Sequence, residues 1–346
     1  MCTRMKSLYW ILAAFVCAIG IWFVWSFRLT KEISIPTVAP EIIQNTSPAP
    51  VKGAHWKLDE LDYVLRWIPS GSFFMGSPEN EIKRNQDEDQ RLVTLTKGFW
   101  LGQFEVRRKD WQKFVVATGY KSEAELHNQG YGTWVFDEEK TEIVQAQDKN
   151  WTNVHAHGDN YPVMAISYND SLAFCEWITK KERENNRLTM SQRYTLPTEA
   201  QWEYACRASE PGKETVFHFG NTMAGKDANF NGQFPYGADK LGLFQQRTMP
   251  VGSYMPNNYG LYDMHGNTFE WCLDWYAPYH KIDKKTQSGL IDPVGPELGD
   301  KKCYRGGSWF DLSHYCRSAF RGKTPPSDRS DHLGFRLALI DDSVQL

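Results

Sequence analysis

The sequence predicts a loop-rich globular domain of short strands and few helices, held behind one N-terminal membrane-spanning helix. Three observations carry this prediction. The 346 residues include 14 Trp, 16 Tyr and 19 Phe, more large flat side chains than a plain helical bundle needs. They include 26 Gly and 17 Pro, which interrupt regular structure along the chain. Residues Leu8 to Phe27 form one run without a charge. A hydrophobic content of 41% with 23% charged residues is that of a folded protein. The net charge of −3 gives no electrostatic footing for nucleic acid, so that class of partner is excluded.

As a helix, the Leu8 to Phe27 run spans about 30 Å, the thickness of a bilayer's hydrocarbon core. Arg4 and Lys6 precede it and Arg28 and Lys31 follow it, too even a bias to set orientation. A cleaved signal peptide has a shorter apolar region and a small-residue cleavage site. This run carries Trp10, Trp22 and Trp25 and closes on Ser26-Phe27-Arg28, so residues 1–28 are expected to be an uncleaved signal anchor. Ala14-Phe15-Val16-Cys17 matches a lipoprotein acylation site poorly, because Phe15 and Val16 stand where small residues belong. Residues 29–52, broken by Pro36, Pro40, Pro48 and Pro50, read as a Pro/Thr-rich linker. The globular domain is expected over residues 53–342.

Within it, residues 63–68 and 73–77 alternate as strands around a Pro69-Ser70-Gly71-Ser72 turn, a predicted hairpin. Residues 91–95 and 99–106 give two more strands. Trp111, Phe114 and Val115 have helical spacing within 108–117. A second helix, capped by Asn169 or Asp170, presents Leu172, Ala173, Cys175, Trp177 and Ile178. A third starts at Thr198, whose spacing to Gln201 is that of a capping box. Beyond residue 212 regular elements thin out for over sixty positions, and such stretches in a compact domain are functional or ion-held. Residues 303–309 read as a strand entering a Gly-rich turn, and 333–339 as the closing strand. The sequence shows no internal repeat.

Cys2 and Cys17 belong to the anchor; Cys175, Cys206, Cys272, Cys303 and Cys316 lie in the domain. An odd number fits one or two disulfides plus a free thiol in an oxidising compartment, or five thiols in a reducing one. No C-x-x-C spacing marks a zinc or redox site.

Five ordered blocks together resemble the sulfatase-modifying-factor, or formylglycine-generating-enzyme-like, family. They are Gly71-Ser72-Phe73-Phe74-Met75-Gly76-Ser77; Tyr161-Pro162-Val163 with Ser167-Tyr168-Asn169-Asp170; residues 196–207 around Pro197-Thr198-Glu199-Ala200-Gln201-Trp202; residues 258–267 with Glu270-Trp271; and Arg305-Gly306-Gly307-Ser308-Trp309 with Gly334-Phe335-Arg336. The resemblance implies a single α+β domain of the C-type-lectin-like kind, poor in regular structure and folded outside the cytoplasm. In a bacterium that is the periplasmic side of the inner membrane. The family includes copper-dependent oxidases that convert a sulfatase cysteine to formylglycine, non-haem-iron enzymes, and binding proteins with no known reaction.

The oxidases place two copper-binding cysteines after the Gly-Gly-Ser turn; the matching positions here are Asp311 and Cys316. Cu(I) is soft and favours paired thiolates, so the linear two-sulfur site cannot form with Asp311 in place. Ser308, Asp311 and Cys316 remain the expected catalytic residues should the protein be an enzyme, with copper or iron as its metal. Cys316 is either a retained active-site thiol or a buried small hydrophobe or rewired disulfide partner. Cys303 is a second sulfur, but it precedes the turn. The family partners of Cys175 and Cys206 fall on Leu337 and Ser318.

The resemblance also implies structural calcium, held by the side chains of Asp263 and Glu270 and the carbonyls of Gly266 and Thr268, an oxygen set suited to this ion. A second family site would use Asn229 and the Phe230 carbonyl, but its acidic partner falls on Leu243, leaving it lost or filled by Asp239. His155 and His157 lack a third ligand and read as surface groups. No H-x-x-x-H spacing is present, so a helical iron-binding domain is not expected. Arg305, Arg317, Arg321 and Arg336 are expected to cross-link carboxylates of neighbouring loops rather than form an anion cleft. Two functions follow. The favoured one is a membrane-held, non-catalytic binding or scaffold module recognising protein, peptide or glycan. The other is a metal-dependent oxidoreductase acting on a peptide or small metabolite.

Overall fold

The final strand of the chain lies inside a sheet rather than at its edge. In the computed structural model, which describes residues 50–126, 132–137, 139–154, 158–279 and 289–342, β14 (Ala338–Asp341) pairs on one side with β5 (Phe99–Gly102) and on the other with β8 (Gln192–Thr195). β2 (Tyr63–Ile68) and β1 (His55–Leu58) complete that sheet, in the order β1-β2-β5-β14-β8. A second sheet orders β12 (Gly322–Thr324), β11 (Lys302–Arg305), β9 (Phe269–Trp275) and β13 (Leu333–Gly334). β3 (Gly71–Met75), β4 (Arg91–Leu95) and β10 (Leu290–Ile291) form a third, and β6 (Thr133–Asp137) pairs with β7 (Glu142–Ala146). Among the described residues no helix is long and apolar enough to cross a membrane. The expected anchor, nearly all of the linker, and His155 and His157 lie outside the described residues.

The three expected helices form: α1 (Arg108–Thr118), α2 (Tyr168–Glu184) and α3 (Glu199–Arg207). The cap of α2 is Ser167, not Asn169 or Asp170. Its hydroxyl accepts from the Asp170 amide at 3.1 Å while the Asp170 carboxylate accepts from the Ser167 amide at 3.0 Å. Thr198 and Gln201 make the expected reciprocal box on α3, at 3.1 and 2.9 Å, satisfying amides that helix geometry leaves orphaned.

Two strand expectations need correction. β2 and β3 do not form a hairpin; β2 pairs with β1 and β5, and β3 with β4. Tyr63 and Leu65 enter the core around α1 and α2, whereas Phe73 and Met75 enter the core around α3, so the Pro69-Ser70 link carries the chain between sheets. The closing strand is also split, into β13 and β14, where the Arg336 side chain turns inward.

Aromatic rings fill the first core. Trp111 stacks on Phe174 with centroids 5.8 Å apart and meets Phe114 and Phe335 edge-on at 5.0 and 6.2 Å. Such pairs contribute about 0.5–1.5 kcal/mol each beyond area burial. Between the cores, buried ion pairs tie the loops together. Arg336 binds Glu270 through two nitrogens and also donates to the carbonyls of Gly102 and Tyr262. Trp202 Nε1 donates to the same carboxylate at 2.7 Å. Arg305 pairs with Glu199 and Glu203, Arg321 with Glu199, and Arg317 with Glu88 and Glu81. The four arginines are therefore cross-links, as expected. Burial alone would push the Glu199 carboxyl up, but Arg321 and Arg305 outweigh it and hold it at about 2.

Replacing Arg317 with Met should destabilise the domain by about 3–5 kcal/mol in urea unfolding, because it strands the buried Glu88 carboxylate. The double variant Arg317→Met, Glu88→Leu should recover most of that loss; no recovery would show that the cost comes from packing and not from charge.

Candidate functional site

β11 ends at Arg305 and the chain turns through Gly306 and Gly307, both at positive φ (107° and 77°). A Cβ on Gly307 would stand 2.4 Å from Cys316 Sγ, so this turn demands glycine and lies directly on the thiol. Cys316 closes the short 3-10 helix Ser313–Cys316 and is 0% exposed. Burial first, then the Asp311 carboxylate, pushes its thiol well up, although the Ser308 amide donates to it. The neutral thiol is thus the resting form, not the thiolate that nucleophilic or metal chemistry requires.

His265 fixes the backbone beneath. Its Nε2 accepts from the His218 amide at 3.1 Å, so the proton resides on Nδ1, which donates to the Cys316 carbonyl at 2.7 Å. Burial, and then His218, hold His265 well below its usual range, consistent with this neutral tautomer.

Asp311 faces the same turn. The Ser308 hydroxyl donates to Asp311 Oδ2, the Asp311 amide donates to the Ser308 carbonyl at 3.1 Å, and the Asn231 amide donates to the Asp311 carbonyl at 2.9 Å. Burial raises the Asp311 carboxyl, opposed by His332 and Ser308. His332 is the residue that sequence reasoning missed. Its Nδ1 lies 2.8 Å from Asp331 Oδ1, and although burial alone would lower it, Asp331 and then Asp311 raise it. Asp331 is fixed in turn by the Phe136 amide at 2.8 Å. His332 lines a cavity of about 250 Å³ with Trp134, Phe269, Tyr304, Asp328 and Arg329. The structure therefore brings Ser308, Asp311 and Cys316 together, as expected, and adds an imidazole oriented by one carboxylate and facing another.

A two-thiolate copper site does not fit these residues. Cys303 does not supply the second sulfur: its thiol lies in the α3 core, 3.6 Å from Glu199 Oε2, whereas Cys316 packs with Phe217 and Phe230. Among the described residues no three His, Cys, Asp or Glu side chains are grouped to hold a metal. All five domain cysteines are unpaired and buried. Cys206 Sγ does stand 3.7 Å from Ser318 Oγ, the position expected opposite it.

The loop expected to hold calcium adopts left-handed backbone at Asp263, Gly266 and Asn267. Its ligands are arranged differently from the expectation. The Glu270 carboxylate is engaged by Arg336 and Trp202, and the Gly266 carbonyl accepts from the Thr268 amide at 3.0 Å. Glu105, just past β5, instead lies against Asp263. Burial, and then the Asp263 carboxylate, push Glu105 well up; burial pushes Asp263 up to about 6, opposed by the Gly252 amide, Arg336 and a hydrogen bond with Glu105. Asn267 links Glu105 Oε1, at 2.8 Å, to Asn229, at 3.1 Å. Glu105 Oε2 and Asn229 Oδ1 are buried acceptors without partners. A buried carboxylate oxygen and a buried amide oxygen without partners, close to the Asp263 carboxylate, suit a hard cation, so Asp263, Glu105 and Asn229 are the residues that would hold calcium. The sequence signal for Glu105 was a lone acid in an otherwise apolar stretch before Val106. Asp239 and Leu243 are exposed, away from any such role.

Comparison with known proteins bears on this geometry. The sulfatase-modifying factor enzyme 1-like domain matches residues 60–340. The formylglycine-generating enzyme of Mus musculus is 32% identical over 296 residues, covering 78% of this chain and 73% of its own. A second Mus musculus protein, inactive C-alpha-formylglycine-generating enzyme 2, is 29% identical over 304 residues, covering 80% and 86%. Among solved structures, PvdO from Pseudomonas aeruginosa superposes with a TM-score of 0.63 at 28% identity, covering 84% of this chain and 99% of that one.

Calcium added to chelator-treated protein should raise its melting temperature, by an amount equivalent to about 2.7 kcal/mol at a hundredfold excess over the Kd. Glu105→Gln should shrink that rise, since the amide cannot ionise to meet the cation, while leaving the calcium-free form little changed, because Glu105 is held protonated there. A calcium response unchanged in Glu105→Gln would place the ion elsewhere.

Proposed function

The chain belongs to the sulfatase-modifying factor enzyme 1-like family, and within it we propose that the protein is a non-catalytic binding module, tethered to a membrane with its domain outside the cytoplasm. The observation that carries this reading is Asp311, whose carboxylate is occupied by the Ser308 hydroxyl where a copper oxidase of this family needs a second thiolate. The remaining thiol, Cys316, is sealed under Gly307 and neutral. A family that includes a relative named inactive gives the reading a precedent.

What the cleft retains suits recognition. The cavity lined by His332, Tyr304 and Arg329, about 250 Å³, is smaller than the roughly 300–1,000 Å³ typical of whole small-molecule ligands. It takes one side chain or one sugar ring of a larger partner, a peptide or glycan. Calcium at Asp263, Glu105 and Asn229 would order the neighbouring loop without taking part in chemistry. The tether is supported by the uncharged run from Leu8 to Phe27 and the Pro-rich stretch behind it.

The full chain, purified in detergent without chelator and loaded anaerobically with Cu(I) or Fe(II), should retain calcium and no redox metal. Stoichiometric copper or iron that disappears in Cys316→Ser would overturn the reading and make the protein a metal-dependent oxidoreductase. Asp311→Cys should gain Cu(I) binding, because it restores the paired sulfurs that a soft cation prefers. In cell fractions the chain should stay with membranes through alkaline carbonate washing; its release would remove the tether from the proposal.

A further inference from the structure

Of the five unpaired cysteines in the domain, two lie on adjacent strands and enter the same core. β9 and β11 run antiparallel, with Arg305 opposite Glu270 and Tyr304 opposite Trp271. Cys303 and Cys272 are the next residues on each strand, and the ladder slips at this step, the following recorded pair being Lys302 with Trp275. Alternation along the strands puts both on one side: Trp271 and Tyr304 pack on the aromatic core around α1 and α2, while Cys272 and Cys303 both enter the core around α3. A disulfide spans about 4.4–6.8 Å between Cα atoms, which the roughly 4.7–4.9 Å spacing of neighbouring strands allows. The other three thiols have different neighbours. Cys206 meets His265 and Ser318, Cys316 lies under Gly307, and Cys175 packs in the opposite core on α2.

We propose that Cys272 and Cys303 are a disulfide site, closed during folding, that staples the base of the excursion between β9 and β11. That excursion leaves the second sheet and lends β10 to β4 in the third before returning. It also walls a cavity of about 480 Å³ that reaches Arg321 and Tyr279. A link at its base closes that loop, and cross-links of this length constrain mainly the unfolded chain.

The chemistry sets when the bond forms. Both thiols are 0% exposed. Burial, followed by the Glu199 carboxylate, pushes both up, and Cys303 adds to the push on Cys272. The folded thiols are therefore unreactive, and oxidation belongs to the folding chain. One cysteine thiolate attacks a disulfide-bearing oxidant of the thiol–disulfide exchange class, giving a mixed disulfide. The second thiolate then displaces the oxidant's sulfur. Two thiol protons are released, two electrons pass to the oxidant, and the oxidant leaves as a dithiol. The proposal rests on the extracytoplasmic placement above only for the cellular source of that oxidant.

The test is peptide mapping of the full chain after acid quench and alkylation in denaturant, on two preparations. One is protein from cells; the other is the same chain refolded in an oxidised/reduced glutathione buffer. The expected result is a linked peptide containing Cys272 and Cys303 in both, with Cys175 and Cys206 alkylated. Cys272→Ser should convert Cys303 to an alkylated thiol without creating a new link. Linkage after refolding but alkylation of both residues in cellular protein would uphold the disulfide site and overturn the extracytoplasmic placement. Recovery of both cysteines as alkylated thiols from correctly refolded, calcium-responsive protein would overturn the proposal itself.

Discussion

One guanidinium holds the parts of this domain in relation to one another. Arg336 lies where the closing strand breaks, and from there it reaches the Glu270 carboxylate on β9, the Gly102 carbonyl at the end of β5 and the Tyr262 carbonyl beside Asp263. Glu270 in turn receives Trp202 from α3. Two sheets, a helix and the Asp263 loop are thereby referred to one buried ion pair. Such a pair adds little net stability, because desolvating both charges costs nearly as much as their attraction returns. What it contributes is register: with a partner missing, one charge would be left in the core, so alternative arrangements of these loops are penalised. A fold with this few regular ladders depends on such constraints more than a bundle or sandwich does.

The same economy explains what could be read from the sequence. Local signals were legible. Thr198 and Gln201 announced α3 because a capping box is complete within four residues. The arginine cross-links were legible too, since fully buried charge demands a partner. Signals that depend on distant partners were not. Nothing within residues 63–77 shows that β2 and β3 belong to different sheets, because both strands alternate properly and only their pairing partners distinguish them. Glu105 looked like an ordinary acid until the structure set it against Asp263, more than a hundred residues away. His332 was overlooked for the same reason, since its meaning comes from Asp311 and from an orientation imposed by its neighbour Asp331.

At the centre of the site, exchanging sulfur for oxygen at position 311 changes the kind of chemistry within reach. A thiolate pair binds a soft, redox-active cation; a carboxylate held by a serine hydroxyl and facing an imidazole handles protons and hydrogen bonds. The glycine turn packs on the Cys316 thiol, and His265 braces the Cys316 carbonyl beneath it.

The interior position of β14 bears on how the molecule is made. β5 and β8 come together through a strand drawn from residues 338–341, so the five-stranded sheet stays incomplete until that segment docks. Contacts this distant in sequence form slowly, after long loops have closed. Until β14 docks, the edges of β5 and β8 that it covers stay unpaired, open templates for strands of other chains. The slower that closure, the longer those edges and the apolar residues beside them are exposed, so the undocked chain is the aggregation-prone one.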